Sequence, residues 1–266
     1  MIAMEQRRVA SGPAPARPPL PREHGAWGIL LVPFATAVGV SGVFDWKVAL
    51  LLASVLSFYV ARASFLKNNL KWTVRLLAGC AVFCLPLLVF GRLWWLAVFG
   101  AAAAPLSFRK TQRSAAAQLL AVGGLTLTAP AAWYAATGRI DAKAFWLWTL
   151  NALYFGGGVF YVKMHVAAAL RRKPFETLAE RLRIGAGTLF YYAGAMACLL
   201  LLAAGSAVPA AVIAAYLPAT ARAAAGVVRL TPTLRIKRLG WTEVAYSIAF
   251  AAGLIAVLQW TGWGGQ

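Results

Sequence analysis

Charge is scarce in this chain of 266 residues: Asp, Glu, Lys and Arg make up 12% of it, while 61% is hydrophobic and the mean hydropathy is +0.70. That balance excludes a soluble domain of this length and identifies a membrane protein. Acids are scarcer still, seven against 26 Lys and Arg. The resulting net charge of +19 does not point to nucleic acid, because the cations sit in short gaps between apolar runs rather than on a soluble basic surface. The expected partners are instead membrane lipids and their anionic headgroups. Cysteine is limited to Cys80, Cys84 and Cys198, all inside apolar runs, which excludes a disulfide framework. Cys80 and Cys84 share a helical face, but no further ligand lies nearby and packing is the expected role. The two histidines, His24 and His165, make a poor metal site without a third ligand. No metal and no cofactor is expected.

What is abundant is apolar sequence, and it is cut into regular lengths. Residues 1–21 stand apart as an expected disordered, Pro-rich cytoplasmic tail, since the run from Ser11 through Pro19 cannot build a helix and has little to bury. The basic pair Arg7 and Arg8 is followed by prolines rather than an apolar core, so the tail does not read as a signal peptide. Residues 22–266 form one transmembrane helical domain in which apolar runs recur near 26–44, 46–65, 72–90, 93–108, 115–136, 144–162, 184–204, 208–225 and 241–260. A crossing needs about 20 residues at 1.5 Å rise per residue. The fold class is therefore all-α, a polytopic membrane helical bundle of about nine transmembrane helices. Gly91-Arg92 and Gly205-Ser206 leave room only for tight hairpins.

Charge sets the expected orientation. With the N-terminus inside, 22 of the 26 Lys and Arg fall on the cytoplasmic side and only Lys47, Arg92, Arg139 and Lys143 outside. The positive-inside rule then selects a cytoplasmic N-terminus and an external C-terminus. Trp94, Trp95, Trp133, Trp146, Trp148, Trp260 and Trp263 lie near the expected outer ends, as an aromatic belt requires.

Two stretches echo each other. Phe58-Tyr59-Val60 leads into Arg62, Lys67, Asn68, Asn69 and Lys71, and Phe160-Tyr161-Val162 leads into Lys163, His165, Arg171, Arg172 and Lys173. A separation of four helices preserves direction, so the echo suggests a 4+4 parallel repeat plus one helix. Such a repeat would bring both basic stretches beside one cytoplasmic cavity. Arg62, Lys67, Asn68, Lys71, Lys163, His165, Arg171 and Arg172 are accordingly the candidate anion-binding residues, with Arg supplying bidentate grip and Lys a mobile charge. The alternative is topology-setting charge bathed in headgroups. Near 174–183, Phe175, Leu178, Ala179 and Leu182 recur at helical spacing, which predicts a short interfacial helix started by Pro174, with Arg172 and Arg183 in reach of Glu176 and Glu180.

Three further residues are interface candidates. Glu23 and His24 join the tail to the first helix, where Glu23 suits a positive helix N-terminus and His24 an anchor or a proton carrier. Glu243 is expected at the N-terminal dipole of the last helix, with Arg222 snorkelling at the end of the one before. Within the bilayer, Asn151 and Gln118 must find hydrogen-bond partners, and Gly156-Gly157-Gly158 permits either close helix packing or local unwinding.

Pro21-Arg22-Glu23-His24-Gly25-Ala26-Trp27-Gly28-Ile29-Leu30, running into an apolar helix, resembles the opening of the YwiC-like family of bacterial integral membrane proteins. Leu239-Gly240-Trp241-Thr242-Glu243 resembles that family's C-terminal segment. The family brings no catalytic residues with it. Nine helices and elaborated 2–3 and 6–7 loops are also similar to the UbiA-type prenyltransferase fold. That resemblance would imply Asp-rich, magnesium-binding motifs in those two loops, and neither loop contains an aspartate. Lys and Arg repel a hard divalent cation, so magnesium-dependent prenyl transfer is not expected.

Three function classes follow. The first is a protein that admits a lipid or isoprenoid tail between its helices and holds an anionic head with cytoplasmic cations, without magnesium. A membrane transporter is the second, and a non-catalytic assembly partner the third. The sequence assigns no reaction.

Overall fold

The computed structural model describes residues 24–107, 114–171, 174–233 and 236–264. The tail, Glu23, Arg172 and Lys173 lie outside them, as does the side chain of His24. Ten helices follow one another, and among the described residues there is no strand. We number them α1 (His24–Ser41), α2 (Trp46–Leu66), α3 (Leu70–Val89), α4 (Trp95–Ser107), α5 (Ala115–Thr126), α6 (Thr128–Thr137), α7 (Ala142–Leu170), α8 (Leu178–Ala204), α9 (Val212–Val228) and α10 (Ile236–Trp260). Six spans are long and apolar enough to cross a membrane, with α5 and α6 counted together as Ala115–Thr137, and two further apolar helices are shorter. The protein is a multi-pass helical bundle, and each of the nine apolar stretches carries helix among the described residues.

The break between α5 and α6 at Leu127 has a chemical cause. Pro130 lacks the N–H that would bond the carbonyl of Thr126, and its ring crowds that carbonyl. Hydroxyls brace the chain on either side of the break: Thr126 Oγ1 donates to the carbonyl of Val122 at 2.9 Å, and Thr128 Oγ1 donates to the carbonyl of Leu30 on α1 at 2.9 Å.

Helix α1 is the hub. It is apolar on every side, as a helix surrounded by protein should be, and it packs against α5, α6, α7 and α10. Polar side chains fix it: Asn151 Nδ2 on α7 donates to Thr36 Oγ1 at 2.9 Å and to the carbonyl of Leu147 at 2.8 Å, and Thr36 Oγ1 donates to Pro33. Asn151 thus serves interhelical packing, and Gly156-Gly157-Gly158 stays helical.

Short polar residues start the helices. Asp45 accepts from the amides of Lys47 and Val48, Asn69 from Trp72, Ser114 from Ala117, Asp141 from Ala144 and Thr177 from Glu180, each answering donors that a helix N-terminus leaves open. Helix α8 therefore begins after Thr177, not at Pro174, and runs unbroken to Ala204, so residues 178–183 are its first turns. Glu180 takes Arg171 as its partner at 2.7 Å and also accepts from the Glu176 amide, rather than pairing with Arg183.

The two halves are not equivalent in packing. Helix α8 lies along both α7 and α9, whereas α3 packs chiefly on α2 and presents Val74, Leu77, Val82, Leu85 and Val89 outward. Of the expected aromatic belt, Trp94, Trp95 and Trp260 are exposed, but Trp133 is buried in the core and Trp148 Nε1 donates to the carbonyl of Gly123.

Candidate functional site

The echoed tyrosines are both buried at one end of the bundle. Tyr59 meets Trp27 edge-on at 4.9 Å, and Tyr161 covers Arg222 at 4.3 Å. Between them opens a chamber of about 750 Å³, walled by the start of α1 (Gly25, Ile29), the end of α2 (Arg62), α5, α7, α8, α9 and the start of α10. Its polar lining consists of Arg62, Gln118, Tyr154, Lys163, Tyr192, Arg222, Glu243 and Ser247. A second, apolar crevice of about 140 Å³ runs among α2, α3, α4 and α6 past Phe58, Cys80, Cys84 and Phe99. Arg62 and Leu125 line both, so the two spaces share a wall.

Residues from distant parts of the chain converge here because α7 lets them. Its three consecutive glycines remove side chains on the successive sides where Tyr191 and Tyr192 of α8 and Glu243 of α10 approach. A Cβ on Gly156 would overlap the Tyr191 hydroxyl, one on Gly157 would lie 2.7 Å from Tyr192 Cζ, and one on Gly158 would lie 3.4 Å from Glu243 Oε2. The run is a cradle for two tyrosines and a glutamate. Tyr191 is locked by donating to the carbonyl of Leu153 at 3.0 Å and by stacking on Phe160 at 4.8 Å, and Thr188 Oγ1 ties α8 to the carbonyl of Phe160 at 3.1 Å. Tyr154 stacks on Phe250 at 3.8 Å, which fixes one wall of the chamber.

The centre of charge is the pair Arg222–Glu243. Arg222 Nη1 stands 2.7 Å from Glu243 Oε1, and the side chains are 10% and 21% exposed. Rings of Tyr161 and Tyr246 flank the guanidinium at 4.3 and 4.4 Å, a sandwich that holds a cation in place with little water. Yet Arg222 Nε and Nη1 and Glu243 Oε1 are buried without an aligned hydrogen bond. The pair is close, but its donors and acceptor are not saturated.

Several expectations are redistributed. Arg62 and Lys163 do line the chamber, whereas Lys67, Asn68, Lys71, His165 and Arg171 line neither cavity. Asn68 instead occupies the tight α2–α3 turn at φ +56°. His165 Nδ1 lies 3.0 Å from the carbonyl of Tyr161, and its ring is 4.5 Å from that tyrosine. Arg171 is engaged with Glu180 and Phe175. Glu243 is not at a helix N-terminus, because α10 begins at Ile236 and puts it two turns inside. Nor does Arg222 snorkel outward; it turns into the bundle to meet Glu243. The sequence signal for this pair was its rarity. Among the seven acids, Glu243 alone falls within an apolar run and three residues from a tyrosine.

A family model described as YwiC-like protein matches residues 20–133, from the start of the hub helix through most of α6. Over that stretch the chain is similar to the family, and the stretch contributes Gly25, Ile29, Arg62, Gln118 and Leu125 to the chamber. No curated protein and no solved structure matches the chain.

Proposed function

We propose that this protein, set in a bacterial inner membrane with a cytoplasmic N-terminus and an external C-terminus, binds a lipid or isoprenoid-type amphiphile. Its anionic head sits in the chamber and its apolar chain in the adjoining crevice, without magnesium. The observation that carries this reading is the shared wall: a largely apolar chamber that gathers Arg62, Lys163 and Arg222 and a smaller apolar crevice both have Arg62 and Leu125 in their lining. Among the described residues three cations, Arg62, Lys163 and Arg222, line the chamber and give an anionic head positive charge to meet. Among the described residues of the lining Glu243 is the one acid, and it is already held by Arg222, so magnesium would find no set of carboxylates there. The basic residues at this end of the bundle support its cytoplasmic placement.

Native mass spectrometry of the full chain with dodecyl phosphate, with and without EDTA, tests the reading. Arg62→Gln with Lys163→Gln should weaken binding about tenfold or more, a loss that one or two charge-assisted hydrogen bonds account for. Lys67→Gln with Lys71→Gln should not. Equal losses at the two pairs would reduce the chamber to diffuse surface charge.

A further inference from the structure

We infer that Glu243 is the resident counter-ion of an anion site on Arg222, and that an anionic headgroup binds by taking its place. The inference rests on the reading of the chamber given above and adds which residue anchors the head and what leaves it.

Arg222 has the features of an anchor. Nine-tenths of its side chain is buried, and two tyrosine rings fix the guanidinium plane. Three of the pair's polar atoms lack aligned hydrogen bonds. A guanidinium presents its donors as a planar fork that suits two oxygens of a phosphate, sulfonate or carboxylate side by side. Glu243 approaches it through one close contact only, so a head with several oxygens would satisfy the fork better. Glu243 also has somewhere to go: it is the more exposed partner, and the chamber in front of it is open.

The test uses decyl sulfonate, whose head is ionised throughout the neutral range, and titration calorimetry on the full chain in neutral maltoside micelles. Glu243→Gln, which removes the resident charge from Arg222, should bind about tenfold more tightly than the wild type, and Arg222→Gln should lose binding. Glu243→Asp, which keeps the charge but shortens its reach, should fall between wild type and Glu243→Gln and serves where Glu243→Gln does not fold. Affinity unchanged in both Glu243 variants would overturn the displacement. In that case, sensitivity to Arg62→Gln with Lys163→Gln would leave the chamber reading standing. Failure of the wild type to bind any anionic amphiphile would overturn both.

Discussion

The glycine cradle on α7 makes the sharpest structural prediction. In Gly157→Ala the new Cβ would lie 2.7 Å from Cζ and 2.8 Å from Oη of Tyr192, where carbon atoms ordinarily meet at about 3.5–4.0 Å. Either the Tyr192 ring retreats about 1 Å into the chamber, or α8 moves away from α7. Movement of α8 is resisted on both sides, by Thr188 bonded to Phe160 and by Tyr191 bonded to Leu153. Overpacking of this kind costs about 1–3 kcal/mol, while exchanging a helical glycine for alanine returns about 1 kcal/mol. A matched control separates the two effects. Gly194 lies on α8 with nothing within 4 Å of its would-be Cβ, so Gly194→Ala collects the helix term alone. The difference between the variants should be about 1–3 kcal/mol, read as a shift in denaturation in mixed micelles of SDS and neutral detergent. Because Tyr192 lines the chamber, dodecyl phosphate binding should fall in Gly157→Ala only. Equal stability of the two variants would refute the cradle.

Four more outcomes follow from the same geometry. Arg222→Met leaves Glu243 without its partner and should cost about 3–5 kcal/mol, most of it recovered by adding Glu243→Leu; a double variant no more stable than the single one would sink this. Asn151→Leu and Thr36→Val should each cost about 1 kcal/mol in the same denaturation assay, and together less than their sum because they break one contact. In a cysteine-free background, Lys71→Cys should react with an impermeant maleimide only after spheroplast lysis and Ile140→Cys before it, the reverse order contradicting the proposed orientation. EDTA should leave dodecyl phosphate binding unchanged, and a requirement for added magnesium would return the carboxylate-poor loops to consideration.

The helices were legible because hydrocarbon spans impose a length that apolar runs display directly. Where the boundaries moved, polar atoms near the helix ends moved them. Helix α7 continues past Lys163 to Leu170, and α10 starts five residues before Trp241, because Lys and Arg are good helix formers and a cation in the sequence does not end a helix. The same effect misassigned Glu243, which a helix starting at Trp241 places at a dipole and a helix starting at Ile236 places inside the bundle. Trp133 was assigned to the outer belt by its position along the span, but periodicity does not say which neighbour covers a residue, and here α1 and α2 pack on α6.

The site was legible only in part, for a reason that can be traced residue by residue. Phe58-Tyr59-Val60 and Phe160-Tyr161-Val162 marked the right end of the bundle, and Arg62 and Lys163, the first cations after them, do reach the chamber. Cations further along fall past the helix ends, where Lys67 lies in a turn and Arg171 caps a helix and finds Glu180. Proximity to the echo, rather than the number of charges in the loop, separated the two groups. Arg62 follows Tyr59 by three residues and Lys163 follows Tyr161 by two, within about one turn of 3.6 residues, so each stands on the same helix as its buried tyrosine. Arg222 is flanked by Ala221 and Ala223 within the apolar run of α9 and lies beside the face that carries Ala215, Ala219 and Ala223 into the bundle. Small residues on that face leave room for a guanidinium and two tyrosine rings where larger ones would exclude them, so the alanine-rich stretch of α9 is the one that holds the charge.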